Sequence, residues 1–187
     1  MATTHTPRSS TLGQLPEWYP KLKASSLADG QAKFRQYLQN AEESIAKADT
    51  DPRDEDLFWE TKYSSAAGQF GYLAAMMLVD GFLATYLKYK PMESLIPESQ
   101  AKKWTLFHAK GLGGKMGYNR LLTDVFGDEI DELFELVHTA LHVTVHYGHH
   151  PAKRSYSAGM NQLLAFEKAF TEKAKQVLEA HGIEDWA

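Results

Sequence analysis

The sequence predicts an all-α protein, an up-and-down helical bundle of four long helices with short helical insertions. Three observations carry this. Apolar residues recur at helical spacing in four long segments, no stretch sustains a two-residue alternation between hairpin turns, and the breaks between segments hold Pro, Gly and Asp. At 187 residues and 43% hydrophobic content the chain suffices for one core. We divide it into an irregular arm over residues 1–24 and a single bundle domain over 25–187.

Pro7, Gly13, Pro16 and Pro20 keep the arm irregular, and Trp18 and Tyr19 are expected to pin its end to the body. Ser26 or Asp29 caps a first helix running to about Ala48, with Phe34, Tyr37, Leu38, Ala41 and Ile45 on its apolar face. Asp49-Thr-Asp-Pro52 ends it. Asp54 opens the second and longest helix, which reaches about Lys90 and becomes apolar nearly all round, as a central helix should. Ala67, Gly68, Gly71 and Ala75 on this helix allow a neighbouring backbone to approach closely; interior glycine costs about 1 kcal/mol, which packing must offset.

After Pro91, a short helix follows Pro97 through Trp104, Leu106 and Phe107. Gly111-Leu-Gly-Gly114 is a flexible connection and lacks the Lys-Ser/Thr ending of a phosphate loop. Leu121, Leu122, Val125 and Phe126 form another short helix, closed by Gly127. Asp128 is then expected to cap a helix with Ile130, Phe134, Val137, Leu141 and Val145 inward, ended by Gly148 and Pro151. The last helix runs from about Lys153 to Ala180, with Met160, Leu163, Leu164, Phe166, Phe170 and Val177 apolar and His181-Gly182 as its stop.

Composition excludes several functions. A net charge of −4 leaves no overall basic footprint for nucleic acid. Without cysteine there are no disulfides, thiolate metal sites or cysteine nucleophiles, which fits a cytoplasmic setting. No signal peptide is visible, and Phe70 to Leu87, the most apolar stretch, carries Asp80, so we expect no membrane association.

Chemistry concentrates in the fifth of these helices. His138, His142 and His146 lie four apart and, in an α-helix, form one stripe, with Asp131 and Glu135 upstream on nearly the same face. Glu135-x-x-His138 is half of a di-iron motif, and its second half is missing. A mononuclear divalent metal on His138 and His142, or on His142 and His146, with His108 or Glu135 added, is one reading. The other is boundary packing, since the stripe sits one position round from Val137, Leu141 and Val145. Asp80, inside an apolar run, is either an acid–base group or a buried partner that sets helix register. His149-His-Pro-Ala-Lys-Arg154, beside Tyr147 and Tyr156, is a phosphate- or RNA-contacting turn or a solvated loop.

Tyr37-Leu-x-x-Ala41-Glu42, Lys62-Tyr63-x-x-Ala66-Ala67 and Tyr72-x3-Met76-x3-Asp80-x-Phe82-Leu83 resemble a bacterial helical family of unknown function in the HEPN-like (higher eukaryote and prokaryote nucleotide-binding) group. Glu93-Ser94 after Lys90-Pro91, Leu141-His142 before Tyr147-Gly148, and Gly159 fit the same pattern, which spans Tyr37 to Phe170. The resemblance implies a compact bundle that dimerises, in a group that includes ribonucleases with an Arg-x4–6-His motif. None of Arg8, Arg35, Arg53, Arg120 and Arg154 has a histidine at that spacing; Lys103-x4-His108 has the spacing with the wrong cation. No catalytic residue carries over.

The expectation is a non-catalytic binding or interaction module, a homodimer with an unknown protein, nucleotide or RNA partner and no required cofactor. Its ligand cleft is expected to gather Asp80, His142, His146, Tyr147 and Arg154. The alternatives are a metal-dependent hydrolase using His138, His142 and His146, and a degenerate RNA-binding HEPN protein using Lys153 and Arg154.

Overall fold

A computed structural model describes residues 22–50, 63–91, 94–95, 122–146 and 153–186, with the side chains of 49, 50, 153 and 154 excepted. It is an all-α bundle. The elements are α1 (Leu27–Thr50), α2 (Tyr63–Tyr89), a π turn (Leu122–Phe126), α3 (Asp128–Val137) continued by a π-helical segment (His138–His146), and α4 (Lys153–Ala180). Expectations for Trp18 and Tyr19, the opening of the second helix at Asp54, the helix after Pro97, and Gly111–Gly114 lie outside the described residues.

Ser26 caps α1: its Oγ accepts the Asp29 N–H at 3.1 Å. Asp29 turns back to accept the Ser25 N–H and hydroxyl, at 2.8 and 3.0 Å. Each such cap contributes about 1 kcal/mol. At the start of α3 the expectation is corrected. Asp128 is the first helical residue, and Gly127 occupies the cap position with φ 90 and no side-chain bond. The preceding π turn forces this, because the Gly127 N–H returns to the Leu122 carbonyl five residues back, and the reversal that follows needs a positive φ.

α2 is the central element, and 83% of its most apolar window is buried. Its membrane-like length and composition are spent on protein neighbours. α1 runs antiparallel along it: Leu27 N–H donates to the buried Thr85 Oγ1 at 2.7 Å, and Tyr37 meets Phe70 at 6.1 Å. The backbones nearly touch at Gly30 and Gly81, where an added Cβ on either would lie 2.5 or 2.6 Å from a carbonyl of the other helix.

α3 and its π extension also run antiparallel to α2, since Phe126 packs on Phe82 while Phe134 packs on Tyr72. α4 returns antiparallel to α3, with Phe166 on Phe134 and Phe170 on Phe126. The order is therefore up-down-up-down. Phe82, Phe126, Phe134, Phe166 and Phe170 form the centre of the core, each 5% exposed or less. Leu164, expected on the apolar face of the last helix, is 47% exposed. The buried stripe is Leu163, Phe166, Phe170, Ala174 and Leu178, and Leu164 lies one residue, about 100° of helix, away from it.

Candidate functional site

The histidine segment does not wind as an α-helix. His138 keeps φ −59 and ψ −48, so the chain passes without a break from α3 into nine residues of π-helix. The turn is widened by one residue, and the Thr144 hydroxyl donates to the Thr139 carbonyl, also five back, at 2.8 Å. Tertiary contacts explain the widening. Leu141 is fully buried, and an added Cβ on Gly71 or Gly159 would lie 2.7 or 2.5 Å from its methyl groups. Leu141 is a knob between two glycines, one on α2 and one on α4. Gly68 lets the π backbone settle against α2 around it.

On this segment the three imidazoles stack into a column. His138 and His142 have ring centroids 5.2 Å apart at 50°, and His142 and His146 are 5.2 Å apart at 16°. Tyr72 of α2 lies over the column, stacked on His142 at 4.5 Å and edge-on to His138 at 5.3 Å. Burial, and then the Glu135 carboxylate, push the Tyr72 phenol up to about 12. At neutral pH it therefore stays protonated. His138 is buried, while His142 and His146 are half-buried. The His146 Nδ1 lies 3.0 Å from both the carbonyl oxygen and the Oγ of Ser65. Sequence does not place Tyr72 and Ser65 beside the histidines; only the antiparallel pairing of α2 with the histidine segment brings them in.

The remaining candidates fall elsewhere. Asp80 is 2% exposed, and its Oδ2 accepts the Lys23 N–H at 2.9 Å, at the entrance to α1. It lies eight residues from Tyr72, about 12 Å along α2 at 1.5 Å per residue, towards the end facing Phe126 rather than the histidines. The structure thus places Asp80 in a fold-anchoring position away from the column. The Lys23 partner is a backbone amide, which residue types alone do not reveal. Asp131 accepts the Thr123 hydroxyl at 2.9 Å, and burial raises its carboxyl above the usual range. Tyr147 and His108 lie outside the described residues, as does the side chain of Arg154.

Three buried hydroxyls find no hydrogen-bond partner among the described residues: Thr171 Oγ1, farther along α4, and Ser64 Oγ and Tyr156 Oη. Ser64 adjoins Ser65. Tyr156 lies one turn before Met160, whose sulfur is 3.6 Å from where a Gly71 Cβ would be. Both thus belong to the histidine end of the bundle. Burial also pushes the Tyr156 phenol upward.

No group of three histidine, aspartate or glutamate side chains spaced to hold a metal ion occurs among the described residues. The expected combination of His138, His142, Glu135 and His108 is therefore not assembled from its described members alone. No family model, curated protein or solved structure matches this chain.

Proposed function

We propose that this protein is a non-catalytic, HEPN-like helical-bundle binding module whose ligand surface is the outer edge of the His142–His146 column. One observation carries the reading. Nine consecutive residues bearing all three histidines are held in π-helix, a winding with poorer hydrogen-bond geometry that recurs mostly at functional sites. The bundle has been shaped to hold it, with Gly68, Gly71 and Gly159 each giving up a side chain where it docks. Ser64 and Tyr156 add buried polar capacity at the same end. The absence of an Arg-x4–6-His motif favours binding over RNA cleavage.

The reading includes a homodimer in the cytoplasm. Leu136 and Leu164, 49% and 47% exposed on the paired helices α3 and α4, are apolar surface that a second copy would cover. A metal-dependent hydrolase is the second reading, supported by the orientation of His146 towards Ser65, an arrangement found in metal-bound histidines.

The test is a thermal-shift screen of untagged protein against nucleotides, short RNA and divalent cations, with every hit assayed for turnover on RNA and on chromogenic phosphate and carboxylate esters. A hit whose shift disappears in His146→Gln, without turnover, is the expected result. Turnover that His146→Gln abolishes would overturn the module reading in favour of the hydrolase.

A further inference from the structure

We propose that residues 182–186, the segment after α4, are a releasable strap that fills, from within the same chain, a peptide-recognition groove at the end of the bundle opposite the histidines. The groove's outside partner is a short acidic peptide carrying an aliphatic residue and a tryptophan three positions apart. None of the residues involved belongs to the histidine column.

The strap begins where α4 stops. Gly182 takes φ 72, and the Gly182 and Ile183 N–H groups donate back to the Glu179 and Leu178 carbonyls, both at 2.9 Å. A glycine in this left-handed conformation ends the helix and turns the chain across the bundle end. Ile183 then drops into the core, 3% exposed. Trp186 closes the segment on itself, its indole N–H donating to the Ile183 carbonyl at 3.1 Å.

Three helices hold this turn. The Trp186 carbonyl accepts the Ala28 N–H of α1 at 3.1 Å. The hydroxyl of Tyr89, the last residue of α2, donates to the Asp185 carboxylate at 2.8 Å. The Lys175 ammonium of α4 lies 5.0 Å from the centroid of the Trp186 ring, within cation–π range.

The Ala28 bond decides the reading. A helix leaves its first N–H groups without partners of its own. At α1 the Thr85 hydroxyl takes the Leu27 N–H and the Ser26 hydroxyl takes that of Asp29. The bundle thus satisfies both neighbours itself and leaves the Ala28 donor to an incoming carbonyl. A main-chain bond, a buried apolar anchor and an aromatic contact are the means by which folded domains hold short peptides. Charge agrees, since Glu184 and Asp185 are exposed on the strap while Lys88 and Lys90 flank Tyr89 in sequence. Beyond Ile183 the strap has little burial: Glu184 and Asp185 are exposed and Trp186 is half-buried. A segment with so few apolar contacts opens without unfolding the rest, and Gly182 supplies its pivot.

The test uses the whole chain and a synthetic peptide, acetyl-Gly-Ile-Glu-Asp-Trp-amide. By NMR, the Ala28 amide of the unmodified protein should exchange at least about tenfold faster than those of Phe82 and Phe170. Trp186→Ala should raise the Ala28 rate at least about tenfold further and leave the two core amides unchanged. In Ile183→Ser/Trp186→Ala the peptide should bind one to one, restore Ala28 protection and move the Tyr89 resonances. The same peptide with alanine in place of tryptophan should do neither. The unmodified protein should bind the peptide at least about tenfold more weakly, because its own strap competes at high effective concentration. All variants are checked for native melting, and Trp186→Ala alone replaces the double variant in the titration if the latter does not fold. An Ala28 amide that exchanges only together with the core, a vacated groove that ignores the peptide, or equal binding by the unmodified protein overturns the proposal.

Discussion

Gly68 lies against the backbone groups of Leu141 and His146: a Cβ added to it would stand 2.5 Å from the Leu141 carbonyl oxygen and 2.6 Å from the His146 nitrogen. Those two atoms are five residues apart, as an i→i+5 turn pairs them. The glycine thus abuts the π geometry itself, and the consequences can be measured.

Gly68→Ala should be costly. Both facing atoms belong to backbone and cannot swing aside, so α2 and the π segment must separate. We expect a loss of about 1–3 kcal/mol in urea unfolding, with the His146 imidazole resonance displaced as its Ser65 contact lengthens. A change under about 0.5 kcal/mol would mean that the helices are not this close.

Leu141→Ala should cost about 2–5 kcal/mol, because the cavity between Gly71 and Gly159 has no side chain of its own to collapse into it. Leu164→Ala, on the exposed side of α4, should stay within about 0.5 kcal/mol. Equal effects for the two would contradict the burial pattern.

Tyr72 makes an alkaline prediction. Its folded-state value, about 12, stands above the ordinary 10.0. Protonated phenol is thus favoured in the folded protein, and its contribution is whole below pH 10 and lost as pH rises towards 12. Phenolate absorbance should show several tyrosines ionising late, Tyr156 among them, and Tyr72→Phe should reduce that late amplitude by one tyrosine and move alkaline unfolding to higher pH. Identical alkaline profiles for the two proteins would refute this placement of the phenol.

Asp80→Ala tests whether the buried acid and the histidines are separate. The substitution removes the acceptor of the Lys23 N–H and should cost about 1–3 kcal/mol. The His146 imidazole resonance should stay where it is. Its displacement would place Asp80 beside the histidines.

Much of the fold is legible from residue order. Ser26 was one of two named caps, the small residues Gly68 and Gly71 were marked as places of close approach, and the final helix ends where His181-Gly182 says it should. The candidate site was only half legible. His142 and His146 stand out as a repeat, but Ser65 lies 81 positions from His146, and nothing around Ser65 or Tyr72 points to the histidines. One trace of the π winding was present: His138, His142, His146 and Val137, Leu141, Val145 repeat strictly by four, longer than the 3.6 residues of an α-turn.

What the sequence determined by itself is therefore the helical class of the described residues, where α1 and α4 stop, and that α2 must be central, since an all-round apolar helix has no face to give to water. Tertiary structure alone decided how the histidine segment winds and what its imidazoles stack on. The physical reason is range. Helix periodicity and end signals act over a few residues, whereas the choice between α and π turns is set by Leu141 seated between Gly71 and Gly159, and by a Ser65 carbonyl that only the antiparallel docking of α2 delivers to His146.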